Sequence, residues 1–252
     1  KDLEAFNGSW YHTGLWPING VDFSGKSVAV IGTGSSAVQS IPKIACQASN
    51  LSVLQRTPNF VVPAWNGPLD EDTANEIKAG YKKFRERAKW SHSGYNVEDA
   101  TVSGLTASEE YIFSELERRW AIGGFAVLQA FTDVFTDLNV NKILVEFAHM
   151  KIKEKVKDPI VAELLCPKNH PFGTKRLCID TNYFETYNRD NVSLVDISEN
   201  PISHFIHDGL VLENGTEIKV ESIVFAIGFD AMTGPLTAID IRGRGNCSLK
   251  EK

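Results

Sequence analysis

Ser27–Ala37 reads SVAVIGTGSSA, and the fold turns on this stretch. A short Val-rich apolar run, Ser27–Ile31, stops at a loop of small residues, Gly32–Ser36. Apolar positions at helical spacing follow (Val38, Ile41, Ile44, Ala45), then a second short apolar run, Leu51–Gln55. Residues 27–55 therefore read as strand, loop, helix and strand, a βαβ unit. Pro42 stands within the helical stretch Ala37–Cys46 and is expected to kink or shorten it.

The loop fits G-x-G-x-x-G/A, and each small residue in it has a physical reason. Gly32 permits a tight turn, Gly34 leaves the backbone bare where a pyrophosphate would approach, and Ala37 lets helix and strand pack closely. The helix start offers unpaired N–H groups and a partial positive charge to phosphates. An ordinary tight turn between strand and helix is the plain alternative, but a strand before and a helix after favour dinucleotide binding. Gly32, Thr33, Gly34, Ser35, Ser36, Ala37 and Gln39 form the candidate cofactor set on this element. An NAD site usually places Asp or Glu about 20 residues past the loop, on the ribose 2′-hydroxyl. Here the second strand ends in Gln55, Arg56 and Thr57, without an acid. Arg56 offers a planar fork to a 2′-phosphate and Thr57 a hydroxyl. The expectation is NADP(H) rather than NAD(H); a solvated arginine at a strand end is the competing reading.

Outward from this unit, residues 1–25 are rich in turn formers and aromatics and read as a linker. From Asp70 to about Cys166 the pattern is charged and amphipathic, with helices expected at 71–90, 108–121, 139–156 and 158–165 and a mobile loop at 91–107. Strand patterns return at Val192–Val195, Ile202–His207, Leu210–Leu212 and Ile223–Ile227. Asp208-Gly209 and Glu213–Thr216 (ENGT) mark hairpin turns. The fold class expected is α/β: a three-layer Rossmann-type dinucleotide-binding domain, with a parallel sheet plus a β-hairpin or meander, interrupted by a helical insertion.

Composition narrows the function. A net charge of -6 over 252 residues argues against nucleic-acid or membrane-surface binding, which favour a basic face, yet allows a local cationic pocket. No apolar run reaches the roughly 18 residues needed to span a bilayer. Cys46, Cys166, Cys178 and Cys247 have no CxxC spacing and no histidines at ligand spacing, so reduced thiols in a cytoplasmic protein, and no metal, are expected. His92, His149, His170, His204 and His207 likewise carry no ligand pattern, and Trp10, Trp16 and Trp65 read as packing residues. Gly243–Gly245 (GRG) reads as a turn, leaving one glycine fingerprint in the chain.

Phe6–Pro17 (FNGSWYHTGLWP) resembles the FxGxxxHxxxW(P/D) fingerprint of Baeyer–Villiger monooxygenases, met at Phe6, Gly8, His12, Trp16 and Pro17. Leu54–Asn59 (LQRTPN), Gly173–Arg176 (GTKR) with Tyr183–Val192, and Phe225–Gly234 (FAIGFDAMTG) are similar to further segments of that family; in the last, Ile227 replaces the usual Thr. The resemblance implies FAD and NADPH as cofactors, and O2 and a ketone as substrates. It further implies that a C4a-peroxyflavin would insert one oxygen beside the carbonyl to give an ester or lactone. It implies that Lys175 joins Arg56 and Thr57 on the 2′-phosphate, that Ile227 and Gly228 line the cofactor site, and that Arg176 is the active-site arginine. A fixed cation where negative charge develops is a strong catalytic lever, and arginine stays protonated where lysine would not always. For His12 the expected role is domain coupling rather than chemistry.

The family further implies a chain about twice this length. Residues 1–25 would be an inter-domain linker, 26–69 and 171–238 the two parts of the NADP-binding domain, 70–170 the insertion, and 239–252 a link back to the FAD domain, the partner in the same full-length chain. Two rivals stand beside this reading: a flavin-containing monooxygenase acting on nitrogen or sulfur, against which Trp16 and Pro17 speak, and a non-catalytic NADP(H)-binding module, against which Arg176 speaks.

Overall fold

The computed structural model describes residues 1–91, 94, 96–231 and 233–251. In chain order the strands are β1 (Ser9–His12), β2 (Ser27–Ile31), β3 (Asn50–Gln55), β4 (Val61–Pro63), β5 (Cys178–Asp180), β6 (Val192–Asp196), β7 (Ile202–Ile206), β8 (Gly209–Leu212), β9 (Glu217–Lys219) and β10 (Ser222–Phe225). The main sheet is wholly parallel, in the order β1-β10-β2-β3-β6. β7-β8-β9 form an antiparallel meander, and β4 pairs β5 in a short parallel ladder.

The side-chain period of two sorts the sheet's residues between two layers. Val28, Val30, Leu51, Val53 and Val224 face one way, into a core shared with Val38, Ile41, Ile44 and Ala45 of helix α1 (Ser35–Ala45). Ala29, Ile31, Leu54 and Ile223 face the other way, onto Phe205, Leu210 and Leu212 of the meander. Strands covered on both faces become near-continuous apolar runs, which is why SVAVI was legible. The result is the three-layer α/β arrangement that the βαβ pattern predicts.

Two local expectations are corrected. Helix α1 continues through Pro42 to Ala45; the burial of Ile41, Ile44 and Ala45 holds a turn that has lost one backbone bond. Ser9–His12, read from sequence as linker, is the sheet's edge strand, paired from Ser9↔Ser222 to His12↔Phe225. None of its four residues is buried, so it shows no apolar pattern to read.

Helices α2 (Glu71–Trp90), α3 (Glu109–Ile122), α4 (Leu138–Lys155) and α5 (Pro159–Leu165) lie between β4 and β5, within about a residue of their expected bounds. Each starts at a capping side chain: Asp70, Ser108, Asp137 and Asp158 accept from backbone N–H groups of the first turn. Their own core centres on Leu116, Trp120, Phe131, Leu144 and Phe172, and Phe60 and Val62 tie it to the sheet side. Ile152, Val156, Ala162 and Leu165 pack into the main core. Short helices α6 (Tyr183–Thr186) and α7 (Gly234–Ala238) complete the chain. Within the 91–107 segment, Ser103 Oγ and Gly104 N donate to the Asp133 carboxylate, the latter at 2.8 Å. The readings that touch His92, Ser93, Tyr95, Met232 and Lys252 lie outside the described residues.

Cys46 and Cys247 are exposed, Cys166 and Cys178 are buried, and all four are free thiols. Among the described residues no cluster could hold a metal ion, and no helix is long and apolar enough to cross a membrane.

Candidate active-site cleft

The strand ends line up across the sheet: His12 pairs Phe225, Phe225 pairs Ile31, Ile31 pairs Leu54, and Leu54 pairs Val195. In an open parallel sheet, ligands bind just beyond this carboxyl edge. A cleft of about 680 Å³ opens there, lined by the glycine loop Gly32–Ser36, by Arg56, Thr57 and Asn59 after β3, by Lys175 and Arg176 before β5, and by Ala226–Phe229 after β10.

The loop's conformation follows from its residues. Gly32 has φ +107, and a Cβ there would sit 2.6 Å from the Ala226 carbonyl oxygen, so the turn away from the sheet demands glycine. At Gly34, the helix N-cap, a Cβ would meet nothing within 4 Å, and the residue lines the cleft. Val38 N closes the first helical bond on Gly34 O at 2.9 Å, which leaves the N–H groups of Ser35, Ser36 and Ala37 without intrahelical acceptors. Ala37 is fully buried beneath them. Gln39 is not among the lining residues; its side chain donates to Ser35 O at 3.0 Å.

Three cations, Arg56, Lys175 and Arg176, line the cleft with no carboxylate among the lining residues, although the chain as a whole is acidic. Among the described residues none of the three forms an ion pair. The cleft therefore carries a local positive charge that no carboxylate among its lining residues offsets. Lys175 stands near enough to His170 to act on it: burial first, and then the lysine's charge, push the imidazole below its ordinary value. Burial pushes the Cys178 thiol up, opposed by the Ser35 hydroxyl and the charge of Arg176.

Lys175 and Arg176 arrive from the far end of the insertion, and the buried amide of Asn141 on α4 secures that return. Its Oδ1 accepts from Phe172 N at 2.8 Å, and its Nδ2 donates to Phe172 O at 2.9 Å and to Val134 O at 3.1 Å. Sequence reading missed Asn141, since a lone Asn in a helical run carries no pattern. It also missed Asn59, whose Nδ2 donates to Thr33 O at 2.9 Å, and the apolar floor of Leu54 and Ile197. Leu54 and Ile197 stand where β3 and β6 end, and the rule that ligands sit beyond strand ends was the signal available for them.

None of the fingerprint residues lines the cleft. Phe6 is buried with Leu210 and Ile223. Gly8 lies so close to the Glu221 carbonyl that a side chain would collide. Pro17 O closes a turn on Gly20 N at 2.9 Å. Trp16 packs on Tyr11 and Phe23, with ring centroids 5.9 and 6.2 Å apart, and Trp10 meets Phe225 edge-on. Trp65 is 60% exposed, and its Nε1 donates to Trp120 O at 3.2 Å. Only His12 reaches the cleft's wall, with Nε2 3.1 Å from Gly228 O.

No family model matches the sequence. Individual relatives do. The chain is 41% identical, over 99% of its length, to 47% of a 2-oxo-Δ3-4,5,5-trimethylcyclopentenylacetyl-CoA monooxygenase of Pseudomonas putida. It is 36% identical over its whole length to 46% of cyclohexanone 1,2-monooxygenase of an Acinetobacter species. It is 37% identical over 98% of its length to 46% of a phenazine N-monooxygenase of Lysobacter antibioticus. Among solved structures, a steroid monooxygenase bound to NADP superposes with a TM-score of 0.94 at 47% identity, covering 99% of this chain and 47% of the other. A monooxygenase designated OTEMO, in complex with FAD and NADP, does so at 0.94 and 39%, covering 99% and 47%. The chain spans about half the length of the relatives it matches. Along its whole length it is homologous to the Baeyer–Villiger monooxygenases and corresponds to a segment of one.

Proposed function

We propose that this chain is the NADPH-binding part of a flavin-dependent Baeyer–Villiger monooxygenase, an enzyme that inserts one oxygen atom of O2 into a ketone to give an ester or lactone. The observation that carries the reading is the convergence of Arg56, Lys175 and Arg176 with the bare N-terminus of α1 on one acid-free cleft. In the full enzyme NADPH supplies a hydride and FAD the oxygen-activating chemistry; one glycine fingerprint provides for a single dinucleotide here. Gly32, Gly34 and the N–H groups of Ser35–Ala37 hold the pyrophosphate. Arg56, Thr57 and Lys175 take the 2′-phosphate through charge-assisted bonds worth about 1.5–3 kcal/mol each. Arg176, which lines the same cleft and is always charged, would steady negative charge developing on a bound flavin. The cofactor-binding role for Gln39 is not part of this arrangement, since its amide is engaged on its own helix.

A second reading, oxygenation of a ring nitrogen, draws support from the similarity to a phenazine N-monooxygenase. Exchanging this chain for the matching segment of cyclohexanone monooxygenase, then analysing products from a cyclic ketone and an N-heterocycle, separates the two. Lactone is expected; N-oxide alone would favour the second reading. The isolated chain is expected to bind NADP(H) weakly and to leave ketones unchanged.

A further inference from the structure

The glycine loop and the loop after β3 are fastened together at three successive points. Gly32 N donates to Leu54 O at 2.9 Å, Thr33 Oγ1 donates to Thr57 O at 3.0 Å, and Asn59 Nδ2 donates to Thr33 O at 2.9 Å. The first bond is ordinary strand-edge pairing. The other two depend on side chains and meet on one residue, Thr33, which is 5% exposed. A threonine hydroxyl has one proton to donate. Here it is committed to the Thr57 carbonyl, so Thr33 has none to offer a phosphate.

We infer that Thr33 and Asn59 are positioning residues for cofactor specificity: together they clasp the pyrophosphate loop to the 2′-phosphate loop, so that Arg56 and Thr57 are already in place when the dinucleotide arrives. This rests on the reading of the cleft as an NADPH site and deepens it. The clasp acts by preorganisation. Arg56 is exposed at the end of β3, and a loose loop there would have to be ordered at the ligand's expense. That cost falls on contacts which the loop itself makes with the 2′-phosphate. NAD+ lacks that group and is affected less. The clasp therefore shows in the ratio of affinities rather than in either one alone.

The test is calorimetric titration of this chain and its variants with NADP+ and with NAD+, alongside thermal unfolding. Thr33→Val keeps the shape and removes the hydroxyl; Thr33→Ser keeps the hydroxyl; Asn59→Ala removes the other arm. Both ligands sample the same folded population, so partial unfolding cancels from the ratio. Thr33→Val and Asn59→Ala are each expected to reduce the NADP+/NAD+ preference by about fivefold, the scale of one net hydrogen bond, and Thr33→Ser to retain the parent ratio. Should Thr33→Val fail to fold, Asn59→Ala carries the same comparison. An unchanged ratio in the folded variants, with only a lower Tm, overturns the clasp, as does a Thr33→Ser variant that loses as much preference as Thr33→Val. A parent chain without preference for NADP+ is a different failure: it removes the NADPH reading, and the clasp with it.

Discussion

The imidazole of His12 bridges two backbone segments: its Nδ1 accepts from Gly14 N at 3.1 Å, while its Nε2 lies 3.1 Å from the carbonyl oxygen of Gly228. Because a backbone N–H can only donate, Nδ1 is unprotonated and the neutral ring carries its proton on Nε2, pointed at Gly228. His12 ends the edge strand β1, and Gly228 lines the cleft, so one ring ties the fingerprint to the cleft wall. In a full-length enzyme carrying His12→Ala, the fraction of NADPH oxidation that yields oxygenated product is expected to fall, while the Kd for NADP+ stays within about threefold, since one neutral hydrogen bond is at stake. Measuring NADPH consumed against product formed checks this; a large loss of NADP+ affinity with coupling intact would contradict it.

Gly32 and Gly34 should separate folding from binding. Gly32→Ala places a Cβ 2.6 Å from Ala226 O at φ +107, a strain of about 1–3 kcal/mol before the clash is counted. A lower Tm is expected. Gly34→Ala meets no neighbour and is expected to keep the parent Tm yet bind NADP+ at least about tenfold more weakly, since the methyl occupies the pyrophosphate's approach. Thermal unfolding paired with titration reads both.

Asn141→Leu keeps the approximate volume but strands Phe172 N, Phe172 O and Val134 O in the interior. With about 1–3 kcal/mol for each buried group left unpaired, and partial relief by relaxation, a loss of about 3 kcal/mol is expected, or roughly 6–12 °C in Tm. Calorimetry checks it. A Tm within a degree of the parent would mean that the insertion's return does not depend on this amide.

His170 offers a pH signature. Its folded-state pKa lies below the ordinary 6.5 through burial and the charge of Lys175, so the unfolded chain binds that proton more readily. The group costs nothing above about pH 6.5, and it progressively destabilises the fold as pH drops from there toward the folded value. A 2′-phosphate seated on Lys175 offsets the lysine's charge, so NADP+ is expected to raise the His170 pKa and NAD+ to leave it nearly unmoved. An NMR titration of the imidazole reads this directly; equal shifts with both ligands would count against Lys175 as a 2′-phosphate contact.

What was legible in the sequence divides by physical cause. Strands β2 and β3 are buried on both faces and read as apolar runs, and the insertion's helices carry both amphipathic spacing and Asp or Ser caps. Strand β1 sits at the sheet's edge with no buried residue, so its contribution to the sheet comes from backbone pairing, which leaves no mark on side-chain pattern. In the cleft, Gly32 was readable because the backbone turn demands glycine, and Gly34 and Arg56, expected from the βαβ pattern, do line the cleft. Lys175 and Arg176 needed the family resemblance, since two adjacent cations more than 100 residues from Arg56 say nothing of where they fold. Asn59 and Asn141 act through single long-range amide bonds, and no local spacing announces those.

The central claim is that the cleft's cationic rim selects the phosphorylated dinucleotide. Calorimetric titration of the parent chain, Arg56→Ala and Lys175→Ala with NADP+ and NAD+ at low and moderate salt measures it. The account predicts that the parent prefers NADP+, that salt erodes the preference, and that each substitution lowers NADP+ affinity about tenfold or more while NAD+ affinity barely moves. Equal affinity of the parent for both dinucleotides, or substitutions that weaken both ligands alike, would contradict it.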